Sequence, residues 1–354
     1  MAAARIMSHK FPYKWRLSDG YPAAGIEKHG AKVFGTFVCG GGSTMGYKLA
    51  GYEHMGGVEI DPKVAAIYKA NHNPKHLFVE DIRVFNQRTD LPAELYNLDL
   101  LDGSPPCSSF SMAGNREKDW GKKKRFREGQ EFQRLDDLVF EYVKTIEKLQ
   151  PKVALLENVK GLITGSAKAY AKKLKAEFEA AGYRVQVFLL NAASMGVPQK
   201  RERVFFIGLR KDFDLPGLVL SFDEKPVLFG EIEGGFGKPN SEHDNMIWSQ
   251  RAANDMDFGQ TLKRIGRKAG HWGSKYIHSD KVCNTIISAS GSKLIEFGNP
   301  YHLSEIKIRQ IGTYPLDYNF KGIEPKYIIG MSVPPVMTAQ IAHQIWLQWL
   351  SKIR

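Results

Sequence analysis

Apolar and polar positions along the first 210 residues switch between the period of a strand and the period of a helix. Short apolar runs closed by glycine or an acid predict strands at residues 32–38, 57–61, 97–101, 153–156, 183–190 and 203–209. Helical patterns fall between them. One covers 44–50 and stops at Gly51, and another opens at Pro62, a residue suited to a first helical position. Leu138, Val139, Tyr142, Val143, Ile146 and Leu149 recur at helical spacing, and Ser166 can cap a charged helix that ends at Gly182. Strand and helix in alternation predict an α/β fold around a Rossmann-like, doubly wound and mainly parallel sheet. After Arg210 the rhythm is lost in glycine-rich sequence with Gly230, Gly234, Gly235 and Gly237. This stretch predicts a smaller, irregular domain. Ile341, Ala342, Ile345, Trp346 and Leu350 then mark a last helix returning to the sheet.

Composition narrows the partners. Fifty Lys and Arg against 38 Asp and Glu leave a formal charge of +12, which suits a polyanion such as nucleic acid. Three cysteines, at 39, 107 and 283, are too few for a disulfide framework and point to a reducing compartment. Neither they nor the scattered histidines have the spacing of a metal site, so no metal is expected. No signal peptide or membrane-length apolar run is found, so the expectation is a soluble, cytoplasmic protein without a membrane partner.

Ligands in open α/β sheets bind beyond the carboxyl ends of the strands, and the residues at those ends are unusual here. Gly40, Gly41 and Gly42 follow the first strand, a turn that serves either tight packing or a ligand at a helix N-terminus. Glu59 ends the next strand, where a ribose diol could be held. That spacing suits a dinucleotide and S-adenosylmethionine equally. Cys107 follows two prolines at a strand end, and Glu157 closes the apolar strand 153–156. A lone cysteine reads as a small buried residue and a strand-end carboxylate as half of an ion pair, but together they have the types of a nucleophile and a proton donor.

These residues, taken in order, resemble the DNA (cytosine-5) methyltransferases of restriction-modification type. Phe37-Val38-Cys39-Gly40-Gly41-Gly42 is similar to the family's cofactor-binding motif, Glu59-Ile60 to its ribose acid, and Asp81-Ile82 to its adenine contact. Pro106-Cys107, Glu157-Asn158-Val159 and Gln199-Lys200-Arg201-Glu202-Arg203 match the nucleophile, Glu-Asn-Val and Gln-x-Arg-x-Arg motifs. The resemblance covers about residues 33–350. It departs from the family at Cys39, where glycine is usual, at 304–309, which carry an extra residue, and at Met331, where asparagine is usual.

The resemblance implies the enzyme class DNA (cytosine-5-)-methyltransferase, with S-adenosylmethionine as cofactor and S-adenosylhomocysteine as product. It implies a cofactor pocket lined by Phe37, Gly40, Gly41, Gly42, Glu59, Ile60, Asp81, Ile82, Pro106, Leu138, Ser332 and Val333. Cys107 would add to C6 of a cytosine flipped out of duplex DNA, and Glu157 would hold a proton at ring N3. Arg203 and Arg201 would supply positive charge, Arg201 alternatively contacting phosphate, and Asn158 would orient the loop. The sequence assigns no residue to take the C5 proton. DNA contacts would come from Ser111, from Lys122, Lys123, Lys124 and Arg125 in a loop closing over the duplex, from Gln199, and from Thr285 and Ile286; Lys263, Arg264, Arg267 and Lys268 read equally as phosphate contacts or as basic surface. The implied domains are a catalytic one over 1–212 and 315–354 and a target-recognition one over 213–314. A monomer is expected, in a bacterial or phage setting, with a restriction endonuclease sharing its site but forming no complex. The alternatives are the tRNA-modifying branch of the same fold and a silent DNA-binding protein on this scaffold.

Overall fold

The structure, a computed structural model, describes residues 9–106, 137–268, 273–289 and 291–353. Its first half alternates strand and helix: β1 Lys32–Thr36, α1 Gly42–Leu49, β2 Glu53–Val58, α2 Pro62–His72, β3 His76–Phe78, α3 Ile82–Gln87, β4 Leu100–Gly103, α4 Leu138–Leu149, β5 Val153–Val159, α5 Lys168–Ala180, β6 Tyr183–Asn191, β7 Gln199–Lys200 and β8 Glu202–Arg210. Seven of these strands form one sheet in the order β3-β2-β1-β4-β5-β8-β6. Pairing is parallel from β3 to β5. β8 runs antiparallel between β5 and β6, so the sheet is mixed and less uniformly parallel than its pattern predicts.

Helices cover both faces. On one side α1 and α10 (Pro335–Gln348) bury Met45, Tyr47, Ala339 and Ile345 against Val33 and Leu100; on the other α4 and α5 bury Tyr142, Ile146, Leu174 and Phe178 against Leu101 and Leu156. Alternate residues of β4 thus serve opposite layers, as the two-residue period of a strand requires.

The irregular expectation for the segment after Arg210 gives way to a small ordered module. β9 Phe236–Pro239, α6 Glu242–Ser249, α7 Phe258–Arg264, β10 Ser274–Ile277, β12 Lys293–Glu296 and β13 Tyr301–Leu303 surround their own core of Ile247, Phe258, Leu262, Tyr276 and Ile295. Its sheet has the order β10-β12-β13-β9. β11 (Cys283–Asn284) leaves this sheet to pair with β7. Strands of two to four residues show no readable periodicity, which is why the pattern missed them. Residues 215–219 do not join the module: Trp349 Nε1 donates to Pro216 O, and Gln348 exchanges hydrogen bonds with Val219.

The N-terminal residues from His9 on, for which the sequence suggests no counterpart, are built in. Phe11 and Trp15 are buried, and Trp15 Nε1 donates to Thr313 O at 2.9 Å. Two local expectations shift. The first strand stops at Thr36, because Phe37 and Cys39 adopt left-handed φ of 56° and 48°. The charged helix begins at Lys168, and its N-cap position falls on Ala167, one residue past Ser166.

α8 (Glu305–Ile311) and α9 (Pro325–Met331) lead into α10, which crosses α1 closely. A Cβ on Gly46 would fall 2.5 Å from Pro335 O and 2.5 Å from Thr338 Cβ. Alanine at a helix-interior glycine is worth about 1 kcal/mol in propensity, and overpacking costs roughly 1–3 kcal/mol. Because one of the obstructing atoms is backbone, the clash should win. Gly46→Ala is expected to lower the free energy of unfolding by about 1–2 kcal/mol in urea titration; a gain in stability would show that the two helices can separate freely.

Candidate active site

The candidate residues meet at the carboxyl edge of the sheet. β1 ends in a loop in which Phe37, Cys39 and Gly41 are all left-handed, Gly41 with φ 80°. Non-glycine residues in that region cost roughly 1–3 kcal/mol each and cluster where a backbone shape is required. All three glycines are needed by the protein itself. A Cβ on Gly40 would meet Ile328 at 2.3 Å, one on Gly41 would meet His72 Nε2 at 2.1 Å, and one on Gly42 would fall 2.5 Å from Val333 O and 2.8 Å from Ser332 Cβ. The loop is therefore pressed against the α9–α10 junction, which brings Ser332 and Val333 to Gly42.

Glu59, just past β2, faces the same loop. Its carboxylate accepts from Cys39 N and Asp61 N, both at 2.9 Å. Burial pushes its pKa up to about 6, against those amides. Ile60 follows at the half-buried rim. Asp81 caps α3 by accepting from Arg83 N and pairs with the Arg83 guanidinium, while Ile82 is buried beneath. Leu138, at the start of α4, lies in the apolar core.

Glu157 and Arg203 form an ion pair, Nε to Oε1 at 2.8 Å, across the ends of β5 and β8. Burial pushes the Arg203 guanidinium below its ordinary value, and the Glu157 charge opposes that. Asn158 Nδ2 donates to Pro105 O at 3.2 Å, tying β5 to the turn that carries Pro106. Cys107, Ser111, Lys122, Lys123, Lys124 and Arg125 lie outside the described residues. Of the other cysteines, Cys283 is buried with its thiol pushed up to about 12 by desolvation, which removes it as a nucleophile at neutral pH.

Two expected DNA contacts, Gln199 and Ile286, sit in the interior, as does Arg201, whose charge was expected beside the ring or on a phosphate and is instead spent on backbone carbonyls. Arg201 is 2% exposed; its Nη1 and Nη2 donate to Ile286 O and Gly330 O, both at 3.1 Å. A phosphate cannot reach it there. Gln199 is equally buried, donating to Ile311 O and accepting from Ile286 N, and Ile286 itself is fully buried. These residues join β7, the segment after β11, α8 and α9. The sequence pattern could not show this, because glutamine and arginine are ordinarily surface residues and their acceptors come from distant segments. Thr285 keeps a more open place, its hydroxyl donating to Lys200 O. Arg264 of the basic run is held by Asp255 at 3.0 Å.

Other positioning residues have little local signal. Tyr318 OH donates to Gly40 O and lies 3.2 Å from His72 Nε2, and Tyr314 OH donates to Ser332 Oγ at 2.7 Å. Arg309 gathers the carbonyls of Pro315, Leu316 and Tyr318. Burial pushes His72 and His54 well below the usual histidine range, keeping the underside of the loop neutral.

With this geometry in view, residues 32–346 match the model of the C-5 cytosine-specific DNA methylases. The chain belongs to that family. Among its relatives, the type II methyltransferase M1.HphI of Haemophilus parahaemolyticus is 28% identical over 86% of this chain and 84% of its own length. The type II methyltransferase M.DdeI of Desulfomicrobium norvegicum is 33% identical over 86% of both. Among solved structures, a mutant DNMT2 of Spodoptera frugiperda has a TM-score of 0.61 at 16% identity, covering 89% of this chain and 99% of that one. The S. pombe Dnmt2 methyltransferase has a TM-score of 0.59 at 15% identity, covering 90% and 100%. Both share the fold. As a member of the family, the protein is a cytosine-5 DNA methyltransferase.

The burial of Arg201 gives a direct test. Removing its side chain leaves two buried carbonyls without donors and opens a cavity, so Arg201→Ala should cost about 3 kcal/mol in chemical unfolding. A loss under about 1 kcal/mol would show that the carbonyls find other donors.

Proposed function

We propose that this methyltransferase modifies cytosine within a specific duplex DNA sequence, using S-adenosylmethionine, a flipped base and a transient bond from Cys107. The observation that carries the reading is the Glu157–Arg203 pair beside a turn held by Asn158, one residue short of Cys107. The strained glycine loop and the amide-braced Glu59 fit an adenosine-type cofactor. Phe37, Gly40, Gly41, Gly42, Glu59, Ile60, Asp81, Ile82, Pro106, Leu138, Ser332 and Val333 would hold it, Glu59 taking the ribose hydroxyls. Its contribution to the chemistry is an electrophilic methyl group.

The chain's own residues prepare the base. The Cys107 thiolate forms a bond to C6, and the C5–C6 electron pair moves so that C5 becomes nucleophilic. Glu157 holds a proton at ring N3 and Arg203 faces the carbonyl, so charge building on the ring is neutralised where it appears. After methylation C5 gives up its proton to water and the Cys107–C6 bond breaks, restoring the aromatic ring and the thiolate. A water-excluding pocket is required, and a stacked cytosine cannot enter one, hence the flipped base.

Sequence recognition is assigned to the module within 213–314, and closure over the duplex to the loop with Ser111, Lys122, Lys123, Lys124 and Arg125. The type II names of the relatives support a role as the modifying half of a restriction system, acting alone on DNA in the cytoplasm of a bacterium or on behalf of a phage. A restriction endonuclease would then share the site without forming a complex.

Labelled methyl transfer to unmethylated duplex DNA and, separately, to tRNA tests this reading. Label at cytosine C5 in a fixed duplex context is expected, and Cys107→Ser should abolish it while DNA binding persists; label in tRNA alone, or full turnover by the serine variant, would overturn it. Glu59 gives a second test. Its carboxylate accepts ribose hydroxyls best when ionised, so affinity for both S-adenosylmethionine and S-adenosylhomocysteine should fall as pH drops below about 6, by up to about tenfold per unit. Glu59→Ala should weaken both ligands at every pH in calorimetric titration, and unchanged affinity would misplace the ribose site.

A further inference from the structure

Asp102 has no part in the chemistry above, yet it is a buried acid at the carboxyl end of the central strand. It lies on β4 opposite Gly35 of β1 and is 5% exposed. Both its hydrogen-bond donors come from α1, the helix that follows the glycine loop: Tyr47 OH donates to Oδ1 at 3.0 Å, and the Ser43 side chain donates as well. Ser43 is next to Gly42, the residue pressed against Ser332 and Val333. The carboxylate therefore stands directly behind the loop.

Its neighbours supply no positive charge. Tyr47 contacts it from α1, and Glu157 on β5 and Tyr68 on α2 lie within reach of its charge, while Tyr142 of α4 lies on the opposite face of the sheet. Among the described residues no Lys, Arg or His pairs with it; nearby Lys152 is taken by Asp99. Burial pushes its pKa up to about 7, the Tyr47 and Ser43 bonds opposing this and the Glu157 charge adding to it. Glu157 is already balanced by Arg203, whereas a desolvated carboxylate with no cation of its own is costly unless one completes the site.

Resting on the cofactor reading above, we infer that Asp102 is a positioning residue whose buried carboxylate makes the pocket favour the positively charged sulfonium donor over the neutral thioether product. Donor and product share the adenosine and the amino acid. They differ by one methyl group and one positive charge, so contacts along the shared parts cannot tell them apart. A carboxylate without a cation, in a site of low dielectric, separates them by charge. The consequence is easier release of the product after each turnover.

Calorimetric titration of the full chain with S-adenosylmethionine and with S-adenosylhomocysteine between pH 6 and 8.5 tests the inference. In the unaltered protein the donor-to-product affinity ratio should rise about tenfold as Asp102 ionises through pH 7. The Glu59 effect acts on both ligands and cancels in this ratio. Asp102→Asn should flatten the ratio and weaken the donor about tenfold at pH 8, leaving the product within about twofold. Tyr47→Phe keeps the acid but removes a hydrogen bond that favours its charged form, so the midpoint should move to higher pH; this variant carries the test if the asparagine variant does not fold. Equal weakening of both ligands, or an unchanged ratio, would leave Asp102 a purely structural residue and overturn the inference. Failure of the unaltered protein to bind either ligand would instead overturn the cofactor reading, and the inference with it.

Discussion

The structure depends on how closely the start and the end of the chain approach one another. α1 lies against α10, and the glycine loop against the α9–α10 junction, at separations that leave no room for a side chain at 40, 42 or 46. Dispersion and apolar burial across that contact join Met45 and Leu49 to Ala339, Ile341 and Ile345 in the larger core. The same contact fixes Ser332 and Val333 beside Gly42, where the proposed cofactor pocket would have its floor. Tyr314 and Tyr318 close it from the adjoining turn with hydrogen bonds to Ser332 and Gly40. Stability and site geometry thus rest on one set of atoms, so substitutions in the loop must disturb both.

A second constraint links the large sheet to the small module that follows it. Gln199 and Arg201 lie in the interior and bind backbone groups of Ile286, Ile311 and Gly330, which belong to three segments far apart in sequence. Lys326 adds to this by donating to the carbonyls of Ala289 and Ser292. Polar groups at such positions are expensive to bury and therefore demand their partners, which makes the arrangement of the segments specific. Two residues further along the chain, Arg203 reaches Glu157. A five-residue run thereby serves two ends: Gln199 and Arg201 hold the module, and Arg203 holds the acid.

The charges around the pocket are arranged by burial rather than by exposure. Glu59 and Asp102 are pushed up towards neutrality, while His54 and His72 beneath the loop stay uncharged. The Glu157–Arg203 pair balances itself. What remains are two adjustable acids near the glycine loop, Glu59 bound to the Cys39 amide within it and Asp102 bound to Tyr47 of the helix that follows it. Such an arrangement responds to a cation more strongly than a solvated surface would, because little water is present to screen it.

The α/β rhythm, the residues at the strand ends and the family resemblance were legible from the chain alone, because strand and helix periods and short motifs are local properties. Residues 37–42, Glu59 and the 157–203 pair required no distant information to be singled out as candidates. The sequence could not reveal that Gln199, Arg201 and Ile286 are interior, since their burial is decided by partners 85 to 129 residues away. Nor could it give the antiparallel insertion of β8, the small second sheet with its strands of three to four residues, or the isolation of Asp102 from any described cation. Local sequence determined which elements form and which chemistry is available. Only the tertiary structure decided which polar groups are desolvated and paired, because desolvation and pairing are properties of the whole packed chain.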